Sequence, residues 1–154
     1  MSTVDLGPAA NRMAALIRNV SDEQLAGPTP CPEYSLGDLV DHVGGLALAF
    51  AAAARKDVAN SGAQGPTADG SLLTDDWRTR IARDLDALAA AWRNPEAWSG
   101  MTQAGGIDLP GEVAGIVALD ELVIHGWDVA RASGQSYECD RGSLDAVRGF
   151  VEQF

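Results

Sequence analysis

The segment from Pro110 to Gly134 sets the architecture. It opens on a proline, which suits the first turn of a helix. It closes on Ser133-Gly134, where glycine suits a left-handed cap. No proline interrupts it, and Val113, Ile116, Val117 and Ile124 recur at helical spacing. A helix of this length needs others of comparable length to cover its apolar side. Three further segments qualify. Asp5 to Val20 carries Leu6, Met13, Leu16 and Ile17 on one stripe. Ser35 opens a second helix through Ser35-Leu36-Gly37-Asp38, which has capping-box spacing, and Leu36, Leu39, Val40, Val43, Leu46, Ala47 and Phe50 follow. A third runs from about Leu72 to Trp92, with Trp77, Ile81, Leu85, Leu88 and Trp92 in register and Ser71 or Thr74 as its cap.

The connections are legible from their breakers. Gly27-Pro28-Thr29-Pro30-Cys31-Pro32 cannot be helical, because its prolines fix φ and remove donors. Asp57 to Ser71 is rich in small and polar residues and reads as a surface loop. Asn94-Pro95 ends the third helix, and Trp98 to Ile107 admits a short strand or hairpin. Asp140 or Ser143 starts a last helical piece that reaches Phe154. With alanine abundant and β-branched residues sparse, the expectation is an all-α four-helix bundle over residues 1–154. It has a long connection before the fourth helix and a short C-terminal helix.

The formal net charge of -11 and pI of about 4.3 argue against nucleic acid or an anionic membrane as partner. Two cysteines, Cys31 and Cys139, make neither a disulfide framework nor a four-thiolate zinc site. The N-terminus lacks the pattern of a signal peptide, and the apolar run Leu46 to Ala54 is short for a bilayer. A cytoplasmic, reducing compartment fits these features, with monomer and homodimer both open.

The fourth helix also carries chemistry. Glu121 falls inside a run of Ile116, Val117, Leu119, Leu122, Val123 and Ile124, where an unpartnered carboxylate would be costly to bury. His125 stands one turn above it on the same face. Bundles build metal sites from side chains on facing helices, and His42, on the edge of the second helix's apolar stripe, is the only other histidine. Two histidines and one carboxylate with an open position suit zinc or another divalent metal. The competing reading is a buried Glu121–His125 pair with His42 unrelated. Asp128, three residues after His125, suits a group that orients the imidazole, or else a salt bridge to Arg131. Trp127 reads as a core residue or as the mouth of a pocket. Cys31 is either a reactive thiol or a small apolar filler. Gly44-Gly45 costs helix propensity and suggests close approach by another helix or a ligand.

Thr29-Pro30-Cys31-Pro32-Glu33-Tyr34-Ser35-Leu36-Gly37-Asp38-Leu39-Val40-Asp41-His42-Val43-Gly44-Gly45 resembles the first signature of the mycothiol-dependent maleylpyruvate isomerase N-terminal family, within the DinB/YfiT-like bundles. Glu121 to Gln135, which includes His125-Gly126-Trp127-Asp128-Val129-Ala130-Arg131-Ala132, resembles the second. Tyr34 stands where the family commonly has tryptophan. The resemblance is strongest to short members without the isomerase's C-terminal domain, and a C-terminal segment beyond Phe154 is expected to be missing. It implies a DinB-like four-helix bundle, with His42, Glu121 and His125 as ligands of a divalent metal. The implied metal is zinc, with nickel or another divalent ion as the alternative. The implied cosubstrate is mycothiol or a similar small thiol, used by a transferase or isomerase-like enzyme on an electrophilic substrate. A non-catalytic metal-binding or ligand-sensing bundle is the alternative function.

Overall fold

Five helices and one short hairpin make up the described residues, 3–57 and 66–153, of the computed structural model. The helices are α1 (Gly7–Arg18), α2 (Leu36–Ala54), α3 (Trp77–Ala91), α4 (Gly111–Ser133) and α5 (Arg141–Gln153). The hairpin pairs β1 (Met101–Ala104) with β2 (Ile107–Pro110), antiparallel, with Met101 opposite Pro110. The all-α bundle expected from the sequence is therefore present. Part of the expected loop, residues 58–65, lies outside the described residues.

The core is where the stripes of the first three helices place it, but α4 departs from its reading: Ile124, taken as part of its apolar stripe, is 48% exposed. Leu6, Met13 and Ile17 of the first segment, Leu36, Leu39 and Val43 of α2, Ile81, Leu85 and Leu88 of α3, and Leu119 and Val129 of α4 are all buried. α3 packs on α1 and α2, α4 packs on α1 and α2, and α5 rests on α4. Gly44 serves the close approach its sequence suggests, since a methyl there would lie 3.2 Å from Ile81 of α3. α2 as a whole is long and apolar enough to cross a membrane, unlike the shorter run Leu46 to Ala54, but two-thirds of its apolar window is buried inside the bundle.

The long connection before α4 is tied down by tryptophans. Trp92 Nε1 donates to the Phe50 carbonyl at 3.0 Å, and Trp98 Nε1 donates to the Trp92 carbonyl at 2.7 Å. The two rings meet edge to face with centroids 5.1 Å apart. A Cβ at Gly115 would lie 2.5 Å from the Trp98 ring, and one at Gly111 would strike the Ala97 carbonyl oxygen. Glycine at these two positions lets the start of α4 lie directly on the Trp98 turn. Thr102 of β1 donates to the Ala53 carbonyl at 2.7 Å, which fixes the hairpin to the end of α2. Since β2 leads straight into α4, the start of α4 lies by the end of α2 and the two helices run antiparallel.

Three expectations need correction. α3 begins at Trp77, five residues later than Leu72, because Gly70–Leu72 forms a separate 3-10 turn capped by Asp69. Neither Ser71 nor Thr74 caps α3: the Thr74 hydroxyl donates to Asp76 at 2.6 Å, and Ser71 turns to Asp69. Pro110 ends β2 at the N-cap position, and the first helical residue is Gly111. Gly134 does close α4 in the left-handed conformation, with φ of 69°.

Candidate metal centre

His42 is carried by α2 seven residues after its cap. That cap is a full capping box: Ser35 Oγ accepts the Asp38 amide and Asp38 Oδ2 accepts the Ser35 amide, each at 3.1 Å. The other Asp38 oxygen accepts the Gly70 amide at 2.8 Å. The Gly70 and Ser35 amides hold the Asp38 carboxyl below its usual range, against a small opposing effect of burial. Asp41 extends this latch, since its Oδ2 accepts the Thr67 hydroxyl at 2.7 Å and the Asp69 amide at 3.0 Å. Residues 66–70 are thereby strapped along α2. Gly45 makes room for the strap, since a methyl there would meet Pro66 at 2.6 Å.

The strap sets the tautomer of His42. Its Nδ1 lies 3.2 Å from the Thr67 carbonyl, an acceptor only, so Nδ1 carries the proton and Nε2 is left as a donor atom for a metal. The Tyr34 ring stacks on the His42 ring at 6.4 Å.

From the antiparallel α4, Glu121 and His125 face this imidazole. His42 and His125 meet edge to face with centroids 5.3 Å apart. One ligand atom from each of His42, Glu121 and His125 lies within 4.8 Å of the others. His125 Nε2 is 2.8 Å from Glu121 Oε2, a hydrogen-bonded ion pair. On the other side of the ring, Asp128 Oδ2 lies 3.4 Å from Nδ1. The buried Nδ1 has no hydrogen-bond partner, but Asp128 still acts on it electrostatically.

The electrostatics follow from these distances. Burial works against protonation of His125, but the hydrogen bond and charge of Glu121, aided by Asp128, outweigh it and hold the imidazole above its ordinary range. The hydrogen bond from His125 lowers the Glu121 carboxyl against its burial. Asp120 moves the other way: burial and then the Glu121 charge raise it.

The donor set fits a divalent metal. Two imidazoles and a carboxylate converge from two helices, in keeping with His-and-carboxylate zinc and non-haem sites. The orientation of His42 frees the nitrogen that would bind. The three residues singled out in the sequence are thus brought together, and Asp128 lies beside His125 without a hydrogen bond to it. Trp127 is the exception. It is 46% exposed, neither in the core nor on the donor side, with the Arg131 guanidinium 5.6 Å over its ring. Arg131 therefore attends Trp127, not Asp128. Cys31 and Cys139 are both free and half-buried, and neither joins the converging donors.

Asp41 and Thr67 escape a sequence reading. The only hint at Asp41 is its place beside His42, and nothing in the chain announces a partner 26 residues away.

Comparison with known proteins identifies a family. The mycothiol maleylpyruvate isomerase N-terminal domain family matches residues 6–130. Uncharacterized proteins from two strains of Mycobacterium tuberculosis are each 31% identical over 139 residues, covering 86% of this chain and 67% of the relative. No solved structure gives a significant match. The bundle, the convergence of His42, Glu121 and His125 on facing helices, and the match over most of the sequence lead to one conclusion: the chain belongs to the mycothiol maleylpyruvate isomerase N-terminal domain family.

Proposed function

We propose that the chain is a metal-dependent enzyme that uses a small thiol of the mycothiol type, as a transferase or isomerase-like catalyst. His42, Glu121 and His125 would hold a divalent metal, with zinc the best fit to the donors. The single observation that carries the reading is the convergence of these donors within 4.8 Å, with His42 already oriented by the Thr67 carbonyl. A divalent ion held by these residues would supply Lewis acidity, which favours the deprotonated form of a thiol at neutral pH.

The chain's own residues do the rest. Thr67 holds the proton on His42 Nδ1, and the charge of Asp128, 3.4 Å away, favours one on His125 Nδ1. Glu121 contributes a negative charge that offsets part of the metal's. The proline segment forms a hollow of about 310 Å³ lined by Pro28, Thr29, Cys31 and Tyr34 among others, and Tyr34 connects it to His42. This hollow suits the polar body of a thiol cosubstrate whose sulfur reaches the centre. The electrophilic partner is a small molecule, and the compartment is the reducing cytoplasm, in keeping with two free cysteines. Neither nucleic acid nor membrane is a partner of a chain this acidic.

Turnover of an electrophile with mycothiol, measured before and after chelation, tests the reading. Thiol-dependent product that disappears with the metal and with His125→Ala is the expected result. Zinc binding without thiol-dependent turnover would support a non-catalytic metal-binding or ligand-sensing bundle instead. One observation favours a third reading, a structural pair: Glu121 and His125 already satisfy each other at 2.8 Å. Absence of zinc affinity in purified protein would support it.

A further inference from the structure

One face of α4 is used neither by the core nor by the metal centre. Asp120, Ile124, Trp127 and Arg131 follow at spacings of four, three and four, which puts them in a single narrow stripe. Ile124 is 48% and Trp127 46% exposed, and Arg131 is exposed beside Trp127. At the other end, Asp120 keeps its Oδ1 shielded from water without a hydrogen-bond partner. Glu121 and His125 lie off this stripe, toward α2.

The order of the stripe is acid, apolar, apolar, base, and its spacing is symmetric. A two-fold axis passing midway between His125 and Gly126 exchanges Asp120 with Arg131 and Ile124 with Trp127. We propose that this stripe is the contact face of a symmetric homodimer, in which α4 of one copy lies antiparallel on α4 of a second. Ile124 then packs on the second copy's Trp127. Asp120 stands opposite the second copy's Arg131, and the same pair recurs about 16 Å along the helix.

The charges decide both partner and direction. A parallel pair would set Asp120 against Asp120 and Arg131 against Arg131, and a slip of one turn would break both ion pairs. A surface that complements itself in one register is the mark of an isologous contact. The chain has a net charge of -11, so two copies repel unless cations are placed to meet acids, and Arg131 is so placed. The apolar centre is a tryptophan and an isoleucine flanked by ion pairs, the usual arrangement of an anchor with a polar rim. One helix face is small for an interface, so the dimer is a reversible one in the micromolar range or weaker.

Sedimentation equilibrium of the purified chain tests this. The expected result is a monomer–dimer equilibrium in which Trp127→Ala weakens association about thirtyfold or more. Asp120→Arg and Arg131→Asp, each of which sets like charges opposite one another, weaken it about tenfold. The double variant that carries both reversals recovers to within about fivefold of the parent, because the pairs are restored in the opposite sense. Circular dichroism melts confirm that each variant is folded, so that loss of the dimer is not loss of the bundle. Three outcomes would each overturn the proposal: a parent chain still monomeric at about 1 mM, a dimer indifferent to Trp127→Ala, or a double reversal no better than the single ones.

Discussion

Metal binding at this centre must compete with a proton, and that competition can be measured. Without metal, His125 donates Nε2–H to Glu121 at 2.8 Å, and its pKa is raised above the ordinary imidazole value of 6.5. Nε2 cannot be both a proton donor and a ligand, so each ion that binds below the raised pKa releases one proton from His125. His125 by itself should therefore make the apparent zinc affinity climb about tenfold per pH unit below that pKa and level off above it. Glu121→Gln separates the two effects of the carboxylate. It removes a proposed ligand, so affinity at pH 8 should fall by more than the roughly 10–100-fold typical of a supporting group. It also removes the main cause of the raised pKa, so the climb should move to lower pH and proton release at pH 7 should shrink. Competition with a chromophoric chelator from pH 5.5 to 8.5 gives the affinities, and calorimetry in two buffers of different ionisation enthalpy counts the protons. Zinc affinity independent of pH, or proton release unchanged in Glu121→Gln, would refute the reasoning. The metal-free protein should show the opposite trend over the same range. The raised pKa of His125 gives stability that is present below the ordinary imidazole value and is lost as pH rises through the raised value. The lowered pKa of Glu121 gives stability that is present above 4.5 and is lost as pH falls through the lowered value. The pair thus favours the apo fold most between those limits, while added zinc shifts the optimum toward alkaline pH.

Other perturbations follow from the same contacts. Asp41→Ala frees the Thr67 hydroxyl and the Asp69 amide, and with them the carbonyl that orients His42. Zinc affinity should drop about 10–100-fold with helix content unchanged, and equal affinity in the variant would count against the strap. Gly115→Ala gains about 1 kcal/mol of helix propensity. It also sets a methyl 2.5 Å from the Trp98 ring. Overpacking of this kind costs about 1–3 kcal/mol, so a lowered melting temperature is expected. A raised melting temperature would show that Trp98 yields freely. Asp38→Ala removes the capping box of α2 and the tie to Gly70, at a cost of about 1 kcal/mol in chemical denaturation. The lowered pKa of Asp38 makes part of that contribution present above 3.8 and lost as pH falls through the lowered value. Because the group faces solvent, salt should weaken it.

Much of this molecule is written locally. The Ser35–Asp38 box, the glycine stop at Gly134 and the stripes of α1 to α3 depend on residues within a turn or two of one another, and the structure bears them out. The start of α3 was misjudged for the same kind of reason. Thr74 offered a cap, but its hydroxyl found a stronger acceptor in Asp76, and the chain made a separate turn first. The core alternative for Trp127 fails because size and apolarity favour burial only on average, whereas its angular position on α4 points it away from the bundle.

The sequence alone determined the helices, the N-cap of α2, the glycine stop of α4 and the residue types able to bind a metal, because helical periodicity, capping and burial cost act over a few residues. It also placed Glu121 and His125 on one face, since a four-residue spacing on a helix leaves no other choice. Only the tertiary structure decided that His42 meets them, because that requires α2 and α4 to run antiparallel in a particular register. The register depends on contacts distant in the chain: Trp98 under Gly115, and Thr102 on the end of α2. The strap of residues 66–70, which turns His42 so that Nε2 is free, is likewise a tertiary choice, made by Asp41 and Asp38 across a loop that no local rule connects to them.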